Sequence, residues 1–284
     1  MANIAIMTDT NSGISPEEAA KLNVYMLKMP FFVDAEEFFE YGSLSYEDFF
    51  HRMSSGAEIS TSQPSPGALC EMWDSLLETH DYIIYVPMSS ALSGTYNTAK
   101  MLANDYDGKI FVVDNKRISI TLRSAILDAI NMKNQGLSAE AIATQLEKSG
   151  LDASIYIAVN TLEYPKKSGR VTATGAAIGT LLGIKPVLQI QGEKLDAYKK
   201  VRGMPAAIQA MVDGIKADIE NRFDGKKIKI DTAYSGNYEQ AATILSTFKE
   251  HFPDAQIDLY PLPISISCHV GPGAFGIGVF EVLR

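Results

Sequence analysis

The sequence predicts an α/β protein of two units, an N-terminal parallel, doubly wound sheet and a C-terminal mixed α/β sheet. Three observations predict it. In the first half, short apolar runs alternate with helical patterns long enough to serve as crossover connections. From about residue 151 the strand-like runs crowd together, and the turn Gln191-Gly192-Glu193 joins two of them, which requires antiparallel pairing. The chain has 284 residues, a length that suggests about two domains, expected at 1–150 and 151–284.

The elements follow in chain order. Residues 3–8, 81–86 and 109–113 are apolar runs bounded by turn residues and read as buried strands. The helical patterns between and after them cover 66–79, 95–104 and 119–135. Residues 138–148 form an amphipathic pattern with Ser138 as N-cap and Gly150 as its stop. In the second half, strands are expected at 154–159, 185–190, 194–201, 226–233, 257–262 and 275–283, with helices near 172–184, 204–222 and 237–251.

Composition narrows the function. With 46% hydrophobic and 21% charged residues, the chain can bury a core, which argues against intrinsic disorder. The 25 basic and 34 acidic residues leave a net charge of −9, so no broad nucleic-acid surface is expected. The opening run lacks a basic n-region and ends at Asp9, unlike a signal peptide, and no apolar stretch approaches the roughly 20 residues that cross a bilayer. Only Cys70 and Cys268 are present, too few for a disulfide framework or a four-thiolate metal site, and a reducing cytoplasm is the simplest setting.

Two hydroxyl-rich loops are the first candidates for chemistry. Open parallel sheets bind ligands outside the carboxyl ends of their strands, where loops enter helices. Ser60 to Gly67 precedes a helix that Ser65 can cap with Pro66 in its first turn, and Ser89 to Thr95 follows the second strand. Free N–H groups and hydroxyls there make an anion site, with Thr61 and Ser93 as the donors; the plainer alternative is capping alone. His269, in Ser267-Cys-His-Val-Gly-Pro-Gly273, is placed in a tight glycine path leading into the last strand, ready to hydrogen-bond an anion or to satisfy its own turn.

The glycines after His269 formally match a dinucleotide fingerprint, but only eight residues follow Gly276, too few for the helix and strand that motif needs. No phosphate-binding P-loop, zinc-ligand pattern or calcium loop occurs. Asp9 and Asp114, at strand ends, read as turn caps in preference to metal ligands. Ser93 lacks the Gly-x-Ser-x-Gly elbow, so a serine hydrolase or acyltransferase using Ser93 and His269 is the weaker alternative; a small-anion-binding module is another. Lys166 to Arg170 and Lys199 to Arg202 are basic clusters on an acidic chain, with Arg170 and Arg202 suited to an acidic group or simply to solvent. Between them lies a Gly/Ala-rich stretch, read chiefly as close packing.

Several runs share one order: Thr8-Asp-Thr-Asn-Ser12, Thr61-Ser-Gln-Pro-Ser65, Ser90-Ala-Leu-Ser-Gly-Thr-Tyr96, Leu162-Glu-Tyr164 leading to Ser168-Gly-Arg170, Leu182-Gly-Ile-Lys-Pro186, Val201-Arg-Gly203 and His269-Val-Gly-Pro-Gly273. In that order the chain resembles the DegV family, whose members act as fatty-acid-binding carrier subunits of bacterial fatty acid kinase. The resemblance implies a two-domain fold with a long-chain fatty acid between the domains, its carboxylate held by Thr61, Ser93 and His269. It also implies that Arg170 and Arg202 face a separate ATP-dependent kinase subunit. No catalytic residue, metal or cofactor of the chain's own is expected, nor stable membrane insertion. Two positions depart from the family pattern: Pro165 replaces an apolar residue, and Val270 a common Thr.

Overall fold

A computed structural model of the chain describes residues 2–177, 183–192 and 194–283. Its strands are β1 (Ile4–Asp9), β2 (Val24–Leu27), β3 (Pro30–Val33), β4 (Glu36–Phe39), β5 (Ile59–Thr61), β6 (Tyr82–Val86), β7 (Ile110–Val112), β8 (Ala153–Ala158), β9 (Ile184–Ile190), β10 (Asp196–Arg202), β11 (Ile228–Tyr234), β12 (Leu259–Pro261) and β13 (Phe275–Glu281). The α-helices are α1 (Pro16–Leu22), α2 (Tyr46–Ser54), α3 (Pro66–Leu77), α4 (Thr95–Leu102), α5 (Ser119–Asn134), α6 (Ala139–Lys148), α7 (Glu163–Ser168), α8 (Ala173–Ala177), α9 (Gly203–Asn221), α10 (Tyr238–His251) and α11 (Ile264–Val270).

The first sheet is parallel, in the order β2-β1-β6-β7. Alternation along its central strands sends side chains to opposite faces. Ala5, Met7, Ile83 and Tyr85 meet α3 and α4, where Trp73 is wholly buried. Ile4, Ile6, Ile84 and Val86 meet α5 and α6 through Leu122, Ile126 and Ile142. Both faces are covered, as the doubly wound reading requires. The strand order reverses direction between β1 and β6, and Asp9 spans that point by accepting from the backbone N–H of Met88 at 3.0 Å. Its carboxyl is pushed up to about 6 by burial, against the backbone and Asn11 donors that favour the anion, so Asp9 is a turn-holding group.

The second sheet is mixed, in the order β10-β9-β8-β13-β11-β12. The predicted β9–β10 hairpin is antiparallel, although Glu193 in its turn lies outside the described residues. Tyr156, Val187, Ile277 and Val279 cover one face together with α9 and α10. Ile155, Ile157, Leu188 and Ile190 alternate to the other face, which turns toward the first sheet. The expected helix over 172–184 is corrected in part. Helix α8 ends its described span at Ala177, residues 178–182 lie outside the description, and Ile184 already opens β9, where antiparallel pairing with Arg202 takes its backbone. Gly175 fits close packing, since a Cβ there would stand 2.6 Å from Val171 Cγ2.

Sequence reading missed a third, antiparallel sheet, β4-β3-β5, inserted between β2 and α3. Its strands are only three or four residues long, too short for a period-2 pattern to register. Phe31, Val33, Phe38 and Phe49 form its core, which receives Ile264 and Cys268 of α11 from the far end of the chain. Buried Glu40 fixes that helix by accepting from the backbone N–H groups of Ile264 at 2.7 Å and Ser265 at 3.1 Å. No helix among the described residues is long and apolar enough to cross a membrane.

Candidate functional site

Where the two larger sheets face each other lies a partly open cavity of about 290 Å³. One wall comes from the segments that leave the carboxyl ends of β1, β6 and β7, among them Asn11, Met88, Ser93 and Ile118. This is the switch point at which open α/β sheets bind ligands. The opposite wall is the inward face of the mixed sheet, with Ile155, Ile157 and Ile190. Most of the lining is aliphatic, and polar groups gather around Thr61, Gln63, Ser93 and His269.

Each of these groups has a traceable local cause. Thr61 ends β5, opposite Phe31 of β3, so it arrives from the small antiparallel sheet and not from the end of a parallel strand as expected. Immediately after it, Ser65 caps α3 as read, its Oγ accepting from Ala68 N–H at 3.1 Å with Pro66 in the first turn. Ser93 follows β6 and precedes α4; its Oγ accepts from Thr95 N–H at 3.3 Å and lies 2.9 Å from Thr95 Oγ1. Gln63 Oε1 accepts from Thr98 Oγ1 at 3.1 Å, tying the first hydroxyl loop to α4, the helix that follows the second.

His269 is the main positional correction. It sits in the last turn of α11 and not in the glycine path, which begins only at Gly271. A helix forms because apolar Ile264 and Cys268, four residues apart, both meet the small sheet's core. Gly271 then turns the chain with φ +75 against the Tyr164 ring, where a Cβ would stand 2.3 Å from Cδ2. The dinucleotide reading stays excluded, because Gly276 lies inside β13 opposite Ile157.

The imidazole Nε2 lies 2.9 Å from Thr61 Oγ1, joining residues 208 apart in sequence. Nδ1 is buried without a hydrogen-bond partner. Burial, and then the nearby Arg170 cation, lower the imidazole pKa to about 4, so it is neutral at physiological pH. When Nε2–H donates to Thr61 Oγ1, the threonine hydroxyl is free to donate to an anion. A Ser-His-Asp arrangement is not assembled: Ser93 bonds Thr95, and no carboxylate among the described residues bonds His269.

Arg170, expected on a partner-facing surface, is half-buried and lines the cavity; its guanidinium donates to the carbonyls of Leu92 at 3.4 Å and Ser168 at 2.5 Å. Arg202 is exposed at the end of β10, opposite Ile184. The backbone bond from Leu195 N–H to Arg170 O places Arg170 near the start of that hairpin strand. Arg202 lies seven strand positions beyond Leu195, roughly 20 Å, so the two arginines do not share one spot. Pro165 is buried at the third position of α7, where a backbone N–H has no intrahelical partner to lose. Val270 lines the cavity. Cys70 and Cys268 are both free. Among the described residues no group of three or more His, Cys, Asp or Glu stands placed for a metal.

A family model described as an uncharacterised protein of the DegV family matches residues 3–282. The chain belongs to the DegV family. Two DegV domain-containing relatives span nearly the whole chain. That of Deinococcus radiodurans is 28% identical over 278 residues, 98% of each chain. That of Clostridium acetobutylicum is 29% identical over 284 residues, 98% of this chain and 97% of the relative. Among solved structures, a fatty-acid-binding DegV family protein from Thermus thermophilus superposes with a TM-score of 0.89 at 27% identity, covering 99% of this chain and 100% of that one. DegV from Bacillus subtilis, a fatty acid binding protein, gives 0.85 at 25% identity with 99% and 100% covered. The architecture is therefore that of DegV proteins, two facing α/β sheets with a small antiparallel sheet between β2 and α3.

Sequence reading passed over Asn11 and Gln63 as cavity residues. Both stand inside runs quoted for the DegV resemblance, and that was the available signal.

Proposed function

We propose that this protein binds a long-chain fatty acid in the apolar cavity and presents its carboxylate to a separate, ATP-dependent kinase subunit in the cytoplasm. The observation that carries the reading is a largely aliphatic cavity at the switch point, with the Thr61 and Ser93 hydroxyls and the neutral His269 imidazole gathered at its polar end beside Arg170. Burying about 16 carbons at ~0.8 kcal/mol each gives a gross driving force on the order of 12 kcal/mol before association costs. A carboxylate leaving water must be hydrogen-bonded; the Thr61 and Ser93 hydroxyls supply donors, and His269 binds it through Thr61, whose hydroxyl it leaves free to donate. Residues 1–150 and 151–284 act as the two units that enclose the lipid. The two fatty-acid-binding DegV structures above support the ligand class.

In the transfer, a carboxylate oxygen bonds to the γ-phosphorus of ATP and the bond to ADP breaks, giving an acyl phosphate. This chain's part is to bind and orient, with nucleotide and magnesium supplied by the partner, whose contact includes exposed Arg202. Native mass spectrometry of the purified protein tests the ligand. A co-purified mass in the fatty-acid range is expected, and a polar phosphorylated compound in its place would overturn the reading. Acyl phosphate formed from ATP, magnesium and fatty acid without a partner would overturn the carrier role.

A further inference from the structure

The wall of the apolar cavity holds a polar group that the carboxylate site does not use. Among the described residues, three buried polar side chains line this space: Asn11, Ser119 and Ser265. Two of them are engaged. Ser265 Oγ donates to Asn11 Oδ1 at 2.8 Å, and the Asn11 amide is turned to Asp9, whose anion it favours. Ser119 is 6% exposed, and its hydroxyl has no hydrogen-bond partner among the described residues. Its neighbours Ile118 and Ile120 line the cavity with it, so the hydroxyl has given up water for aliphatic surroundings without a protein partner in return.

The backbone holds it there. Ser119 has φ +53, a left-handed conformation that a residue with a Cβ adopts at a cost. Ile118 before it is extended, with φ −151 and ψ 154, and α5 begins at Ser119. A continued strand would turn the middle of three residues away from its neighbours, whereas the left-handed step lets three consecutive residues line one space.

We propose that Ser119 recognises a hydroxyl group carried in the middle of the acyl chain, so that the cavity takes a hydroxylated long-chain fatty acid. The inference rests on the fatty-acid reading above and deepens it to a substrate class. A serine hydroxyl donates and accepts, and so does a chain hydroxyl, so one contact satisfies a group on each side. A plain chain leaves Ser119 unpaired against methylenes, and a site built around a hydrogen bond discriminates through that penalty. The partner lies away from the headgroup. Ile120 packs at Gly278, where a Cβ would stand 3.0 Å from its Cδ1. Gly278 pairs with Ile155 of the cavity wall, three residues or roughly 10 Å past the start of β13, whereas His269 precedes that strand in α11.

The test is calorimetric titration of stearate, 2-hydroxystearate, 10-hydroxystearate and 12-hydroxystearate into the wild type, Ser119→Ala and Ser119→Gly. Glycine removes the hydroxyl while suiting the left-handed backbone, so a folding defect in Ser119→Ala does not blunt the comparison. In the wild type, 10- or 12-hydroxystearate is expected to bind about tenfold more tightly than stearate, with 2-hydroxystearate within about twofold of it. Both substitutions should abolish that preference and leave stearate no weaker than about twofold. Stearate binding as tightly as both mid-chain hydroxy acids in the wild type, a preference that survives both substitutions, or an equal gain for 2-hydroxystearate overturns the role of Ser119 while leaving the fatty-acid reading intact. If the wild type binds none of the four, the fatty-acid reading itself fails and this inference with it.

Discussion

Thr61→Val removes the hydroxyl that contacts His269 Nε2 at 2.9 Å while keeping a β-branched side chain at the end of β5. In the proposed complex the change costs one hydrogen bond to the bound carboxylate. It also strands Nε2 beside an Nδ1 that already lacks a partner. Hydrogen bonds to charged groups contribute about 1.5–3 kcal/mol, so palmitate affinity should fall roughly 10- to 150-fold. The chain's gross contribution, on the order of 12 kcal/mol, is untouched, so binding weakens but persists. Displacement of a fluorescent fatty acid measures the affinity, with methyl palmitate as the control because its ester carries no charge. The ester should bind both proteins within about twofold. Unchanged palmitate affinity, or equal loss for acid and ester, would refute the placement of the carboxylate at Thr61.

Ser93→Ala should weaken palmitate by about 1–3 kcal/mol in the same assay, and no labelling by a fluorophosphonate probe is expected in the wild type. Arg202→Ala should leave palmitate affinity unchanged and slow acyl phosphate formation with the kinase partner, read by phosphate transfer from labelled ATP; loss of lipid binding would contradict the exposed placement at the end of β10. Burial pushes the Glu40 carboxyl from 4.5 up to about 7, against the donors of Ile264 and Ser265. The folded state therefore holds the Glu40 proton more tightly than the unfolded chain, and this contribution is full below pH 4.5 and lost as pH rises through about 7. Urea melts should show Glu40→Gln removing a pH-dependent component on the order of 3 kcal/mol across that window. His269 works in the opposite sense: its lowered pKa means stability present above 6.5 is lost as pH falls toward about 4, and His269→Gln should flatten that slope.

The parallel sheet was legible because its central strands are buried on both faces. The Asn3 to Thr8 and Asp81 to Val86 runs are almost continuously apolar, and runs of that length bounded by turn residues read as strands buried on both faces. Ser65 and Ser138 cap their helices as their neighbours in sequence suggest, because capping is decided within four residues. The small sheet was not legible: Glu36-Glu-Phe-Phe39 and Ile59-Ser-Thr61 pair with β3 through backbone contacts that three-residue patterns do not announce. Helix α11 escaped for a related reason. Its seven residues take their orientation from Glu40, 224 positions earlier, and from the aromatic core of the small sheet.

The acidic, two-unit α/β chain, its parallel strands, its caps and the residue types of the candidate site were determined by the sequence alone, since local pattern and composition suffice for these. Tertiary structure decided which of those residues meet. Thr61 and His269 are brought within a hydrogen bond by the packing of α11 on an unforeseen sheet. Arg170 is placed, half-buried, in the cavity lining, where its guanidinium meets the Leu92 carbonyl. Such juxtapositions depend on contacts between residues hundreds of positions apart, and no local periodicity encodes them.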